Sequence, residues 1–250
     1  MKRFAAALRF LTIIPLPMKW GMSEPELSGS LPFFPVVAVL IGAAAAGLAW
    51  CLGFILPPLP SGALIVVALL TVSGGLHIDG LSDTADGFFS SRSRERILEI
   101  MKDSHAGPMG VAAVACVLIL KFAALGSLPA ATLWRAAFLM PVAGRCALLL
   151  GMAVLPYARP EGGLAGIFYK TGRKLSAVWA LAVLAGTGFA VAGVAGLISA
   201  GCSVLSVLLV SAWSYRKIGG ATGDTLGASC EVAETVAALA MVAWYFASGL

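Results

Sequence analysis

Charge is what this sequence has least of. Only 12% of its 250 residues are charged and 60% are hydrophobic, where a soluble domain carries about 25% charge. So little charge cannot cover a water-soluble globule of this size, which excludes a soluble enzyme. Disorder is excluded too, because it needs low hydrophobicity and high charge, and the mean hydropathy here is +0.95. Paired cysteines are also missing. Cys51, Cys116, Cys146, Cys202 and Cys230 contain no CxxC and most lie in apolar runs, so neither a disulfide frame nor a zinc site is expected. The basic start lacks an A-x-A cleavage site, and Arg9, Pro15 and Pro17 interrupt its apolar stretch, so no signal peptide is expected. An integral membrane protein remains, with room for roughly six to eight spans of about 20 residues.

The charge-free stretches place those spans. From Leu27 to Leu76 there is no Asp, Glu, Lys or Arg, and Pro57-Pro58-Leu59-Pro60 divides the run. Spans are predicted near 32–56, 61–76, 110–128, 132–155, 176–198, 202–215 and 233–249, the sixth being short. The expected fold is an all-α integral membrane protein of about seven transmembrane helices, forming a single polytopic domain over 1–250. The excess of 17 Lys and Arg over 12 acids, net +5, reads as loop topology rather than nucleic-acid binding. Lys2, Arg3, Arg9 and Lys19 precede the first span, and Arg92, Arg94, Arg96 and Lys102 follow the second. Arg159, Lys170, Arg173 and Lys174 follow the fourth, and Arg216 and Lys217 the sixth. Every second loop is basic, so the positive-inside rule predicts a cytoplasmic N-terminus and an external C-terminus.

The acids cluster on the same predicted side. Six of the twelve lie between Asp79 and Asp103, and Asp224, Glu231 and Glu234 form a second group. The first group begins Gly74-Gly75-Leu76-His77-Ile78-Asp79-Gly80-Leu81-Ser82-Asp83-Thr84-Ala85-Asp86-Gly87. On a helix Asp79, Asp83 and Asp86 fall at i, i+4 and i+7, one face. Three stacked carboxylates repel, and a divalent cation would relieve them; an all-oxygen ligand set favours Mg²⁺ or Mn²⁺ over zinc. Such a site suits pyrophosphate or phosphate-ester chemistry. A merely solvated acidic loop has no need of three Asp on one face. His77, next to this face, is a candidate base or orienting group. Ile97, Leu98, Ile100 and Met101 give the next segment an apolar face, predicting an interfacial amphipathic helix, and Asp103 after it is a candidate fourth carboxylate.

The second group follows a glycine-rich turn, Gly219-Gly220-Ala221-Thr222-Gly223-Asp224, whose amides would cradle a phosphate at a helix N-terminus. Asp224, Glu231 and Glu234 share a face that enters the last span, where acids default to function. Arg145, in the middle of the fourth span, should pair with an acid or a phosphate. Lys121 and Arg135 are expected to snorkel to the outer interface.

These motifs resemble a known family. GGLHIDGLSDTADGFF, RILEIMKDSHAGPMGV, GRCALLLGMAVLPYARPEGGLAGIF and IGGATGDTLGASCEVAE, in that order, are similar to cobalamin synthase, the adenosylcobinamide-GDP ribazoletransferase family. The opening FLTIIPLP fits as well, although Ile13 stands where an Arg is common. The pattern DGxxAR…GxxxDxxxD of the CDP-alcohol phosphotransferases is absent, because Asp83 stands where Ala would sit and no Arg follows. The resemblance implies a multi-pass enzyme of a bacterial or archaeal cytoplasmic membrane, with its catalytic site at the cytoplasmic face. Its substrates would be adenosylcobinamide-GDP and α-ribazole or its 5′-phosphate, its products GMP and adenosylcobalamin or its 5′-phosphate, and its cofactor Mg²⁺. It leaves open a homo-oligomer or association with other cobalamin-assembly enzymes.

With the resemblance, Asp79, Asp83, Asp86 and Asp103 are assigned to metal, and His77 or one of these Asp residues to the base. Lys102, Arg145 and Arg159 become phosphate contacts, and Gly223, Asp224, Glu231 and Glu234 substrate-side residues. The competing reading is a cation-coupled membrane transporter. Against it, the spans near 32–56 and 176–198 carry no acid, and no internal repeat is visible.

Overall fold

The computed structural model describes residues 1–17, 20–21, 23–159, 161–170 and 172–249. Lys19, counted above among the N-terminal basic residues, lies outside them. Among the described residues the secondary structure is helical, with one isolated bridge between Tyr157 and Ala221. The helices are α1 (Lys2–Leu11), α2 (Glu24–Ser28), α3 (Phe34–Leu52), α4 (Pro58–Val72), α5 (Leu76–Phe88), α6 (Arg94–Ile100), α7 (Pro108–Ser127), α8 (Ala130–Val154), α9 (Leu164–Phe168), α10 (Arg173–Ile218) and α11 (Gly223–Ser248). Proline sits in the first turn of α3, α4 and α7, where its missing N–H costs nothing.

The buried α8 is the hub, flanked by α3, α10 and α11. Its neighbours approach through small residues: a Cβ on Gly42 of α3 would lie 2.6 Å from the Phe138 carbonyl oxygen. Such contacts suit helices in lipid, where close backbone packing replaces the hydrophobic drive. Five helices are long and apolar enough to cross a membrane, or six if the bent pair α4–α5 is one span. The membrane architecture stands, but length and composition do not confirm a count of seven.

Two elements differ from the sequence expectation. The apolar pattern predicts a turn at 199–201, yet helix continues through it and the break falls at Gly193 (φ 58°, ψ −131°), a backbone conformation that glycine adopts readily. There α10 folds back on itself, so that a Cβ on Gly196 would lie 1.8 Å from the Gly188 carbonyl oxygen. Ser199 and Ser203 stay helical because their hydroxyls donate to the carbonyls of Ala237 (3.1 Å) and Ser199 (2.8 Å). The second arm, 194–218, is therefore longer than the predicted 202–215. The amphipathic segment is reassigned in part. Ile97 and Met101 are buried against Phe88, Ala158 and Ile218, so part of this apolar side packs on protein, while Leu98 and Ile100 stay partly exposed.

The chain turns by 89° between α4 and α5, at Gly74 and Gly75, both with positive φ. This takes α5 out of line with the spanning helices and lays it across the N-terminal end of α11. The crossing is tight: a Cβ on Gly80 would lie 2.9 Å from Asp224 Cα, and one on Gly227 would lie 3.3 Å from His77 Cα. Glycine at both positions brings the two acidic segments together.

Candidate active site

Asp79, Asp83 and Asp86 do lie along one helix, α5, but their surroundings separate them. Asp79 is exposed and lines a cavity of about 260 Å³. Asp83 is half-buried. Burial, then the like charges of Asp79, Asp224 and Asp86, push its carboxyl up to about 7, against a smaller opposing pull from Arg159. Asp86 is committed elsewhere: it accepts from the amides of Gly107 (2.7 Å) and Gly110 (2.8 Å) at the start of α7. A carboxylate there satisfies the orphan N–H groups of that helix end.

Asp103, expected as a fourth metal carboxylate, lies in a different cleft from Asp79. It is exposed and bonded to the backbone N–H of His105 (3.0 Å) and to its Nδ1 (2.7 Å), and these bonds hold its carboxyl below the usual range. It shares a shallow cleft with Asp86, Arg96 and Glu99, while the cavity that Asp79 lines lies elsewhere. Lys102 is exposed and paired with Glu161.

Arg159 and Asp224 meet at the cavity mouth. Arg159 Nη2 donates to Asp224 Oδ2 at 2.8 Å, and Thr222 Oγ1 donates to the same oxygen at 3.2 Å. Local backbone pairing sets this geometry. Ala221 N–H donates to the Pro156 carbonyl and Ala158 N–H to that of Ala221, both at 2.8 Å. The glycine-rich turn is thereby pinned to the strip that carries Arg159. Thr222 then caps α11 reciprocally with Thr225, leaving Gly223 and Asp224 on the cavity wall.

Beneath the mouth the cavity is apolar, floored by Phe10, Leu148, Met152, Phe168 and Leu226. The Phe10 and Phe168 rings stand 4.9 Å apart. The sequence reading missed this floor, because its members come from α1, α8, α9 and α11 and share no spacing. His77 also lines the cavity, and its buried Nε2 has no hydrogen-bond partner.

Arg145, Glu231 and Glu234, expected on the substrate side, are instead engaged with each other and with Lys121. Lys121 Nζ reaches Glu231 Oε2 and Glu234 Oε2, both at 2.6 Å, and Arg145 pairs with Glu234. All four side chains are buried. Lys121 therefore does not snorkel: α7 turns it inward, where two carboxylates neutralise it. Arg135 is also anchored, donating to the Tyr245 hydroxyl at 3.0 Å.

Among the described residues no group of three or more His, Cys, Asp or Glu is arranged to hold a metal ion. The donor chemistry nevertheless suits a hard cation. Asp79, Asp83 and Asp224 are oxygen donors; burial first, and then the like charge of Asp79, raises the proton affinity of Asp83 and Asp224, with Arg159 as the facing cation.

The sequence matches the family model described as cobalamin-5-phosphate synthase over residues 3–242. It is 40% identical over 235 residues to an adenosylcobinamide-GDP ribazoletransferase of Acetivibrio thermocellus, covering 94% of this chain and 95% of that protein. The protein of the same name from Roseiflexus sp. (strain RS-1) is 43% identical, over 92% of this chain and 85% of its own. That of Desulforamulus reducens is 41% identical, over 92% and 91%. No solved structure matches the chain.

Proposed function

The chain belongs to the cobalamin-5-phosphate synthase family, and from that premise we propose that the cavity mouth between α5 and α11 is where it carries out ribazole transfer. The reaction moves the cobinamide-phosphate part of adenosylcobinamide-GDP to α-ribazole or its 5′-phosphate. A ribose hydroxyl attacks the cobinamide-side phosphorus, the bond from that phosphorus to the bridging oxygen breaks, and GMP leaves. The hydroxyl's proton passes to a side chain at the mouth.

The observation that carries this placement is the meeting of Arg159 with Asp79 and Asp224 at one cavity mouth, with Asp83 near enough to feel all three charges. A pyrophosphate needs a cation and a metal-holding carboxylate set together. Arg159, steadied by Asp224, would contact the phosphate as a fixed fork. Asp79, Asp83 and Asp224 would hold Mg²⁺; when bound there, the ion offsets the negative charge gathering on the departing GMP. Asp86 and Asp103 fall outside this set for the reasons given above. His77, which lines the cavity and has an unpartnered Nε2, or Asp79 would accept the hydrogen bond of the attacking hydroxyl and take its proton.

The membrane placement belongs to the same proposal. By the positive-inside rule, the basic loops support a position of α5 and the N-terminal end of α11 at the cytoplasmic face of the cell membrane. With the two arms of α10 counted separately the chain makes seven passes, N-terminus inside. The test is direct. Purified protein in lipid vesicles, given adenosylcobinamide-GDP, α-ribazole 5′-phosphate and Mg²⁺, should release GMP. Asp79→Asn and Arg159→Ala should each cut the rate by about 100-fold or more. Normal rates in both variants would remove the site from this cavity mouth.

A further inference from the structure

The cavity has two chemically distinct halves, and the substrates do too. Its mouth carries Asp79, Arg159 and Asp224, whereas its floor is made by Phe10, Leu148, Met152, Phe168 and Leu226. We propose that this floor is the subsite for the base of the acceptor nucleotide, the flat and largely apolar benzimidazole of α-ribazole, while the corrinoid and the guanosine stay outside the mouth. The inference rests on the ribazole-transfer reading above and adds to it which substrate part enters the cavity.

Size comes first. At about 260 Å³ the cavity falls just below the usual range for drug-sized ligands, roughly 300–1,000 Å³. A bicyclic base fits that scale, and a corrin macrocycle with its amide arms does not. Polarity then separates the two nucleotides. Guanine carries donors and acceptors around its edge, and burying them against leucine, methionine and phenylalanine without partners would cost several kcal/mol. A benzimidazole has little such edge to strand. Its ring would lie against Phe10 and Phe168, whose centroids are 4.9 Å apart, in an offset or edge-on aromatic contact.

The geometry also sets the orientation of the acceptor. With the base on the floor, the attached ribose lies at the level of His77, whose buried Nε2 has no partner within the protein. The attacking hydroxyl then points at the mouth, where Arg159 and the carboxylates stand. A guanosine on the floor would turn the leaving group inward and its product would have to exit past the corrinoid.

The test uses the full-length protein in lipid vesicles. Ala165, on the cavity wall, is changed to Leu to fill the space. KM for α-ribazole 5′-phosphate should rise about 10-fold or more, the scale of a misfit of a few methyl groups in an apolar pocket. KM for adenosylcobinamide-GDP should stay within about twofold of the wild type. Leu164→Asp serves as a second variant, since Leu164 lines the cavity and is 56% exposed, so that a carboxylate there keeps contact with solvent; it should give the same split. A rise in KM for the corrinoid substrate alone, or an equal rise for both, overturns the proposal. Binding of α-ribazole 5′-phosphate to the wild-type protein, followed by the fluorescence of its base, is the independent arm. Excess GMP should leave it bound, and displacement by GMP would contradict the assignment. Failure of the wild type to release GMP would instead sink the ribazole-transfer reading, with base binding still deciding the subsite.

Discussion

At the scale of single residues, the site is held in a state of unresolved repulsion. Asp83 has its folded-state pKa raised from 3.8 to about 7 by burial and by neighbouring acids. A raised carboxyl pKa means that the folded chain binds its proton more tightly than the unfolded chain. The stability this confers is full below about pH 4 and is lost as pH rises through about 7. Asp83→Asn should therefore leave metal-free protein at least as stable as wild type at pH 8, and the melting temperatures should converge near pH 4, while turnover is abolished. A variant that melts well below wild type at pH 8 without metal would contradict the picture. Lys121 makes the opposite case. Lys121→Met strands the buried Glu231 carboxylate and leaves Glu234 to Arg145 alone, and should cost about 3–5 kcal/mol in a detergent unfolding titration; unchanged stability would show that the cluster is not formed. The acidic face of α5 was legible because helical spacing is local. The Lys121 cluster was not, since its partners stand 110 and 113 residues further on. Nor could Asp86's engagement with Gly107 and Gly110 be read, because a backbone amide leaves no mark in sequence.

At the scale of elements, the crossing of α5 and α11 decides whether a site exists. A Cβ on Gly80 would stand 2.8 Å from the Asp224 carbonyl oxygen, too close for any real contact, so Gly80→Ala must push the helices apart. Misplacement of that order typically costs about 100-fold in rate. We expect such a fall in GMP release with the helical circular dichroism retained, and full activity in Gly80→Ala would disprove the tight crossing. Hydrophobic runs and prolines marked the spans near α3, α7 and α8 within a few residues. They failed at α10, where glycine and serine recur through 186–206 and only three-dimensional packing selects Gly193 as the turn. They also passed over α1, whose buried side is mostly alanine and gives little hydrophobic signal.

At the scale of the whole molecule, scarce charge becomes spatial order. Most charges are spent at one end of the bundle, in the cavity mouth or in the basic loops around it, and four more neutralise one another in its interior. The proposed seven passes with the N-terminus inside would place the two chain ends on opposite faces. Single cysteines at Ser91 and Gly249, in a background without the native cysteines, should label with impermeant maleimide from the cytoplasmic and external faces respectively. Labelling of both from one face would refute the odd count. Metal-dependent ribazole transfer at this end of the bundle, proposed above, can be tested on the protein as it stands. The most direct measurement is GMP release by the wild-type protein in vesicles, with both substrates present, as Mg²⁺ is titrated in and then chelated. GMP should appear with Mg²⁺ in equal amount to the new corrinoid product and stop with the chelator. No GMP from folded protein, or release indifferent to the chelator, would contradict the proposal.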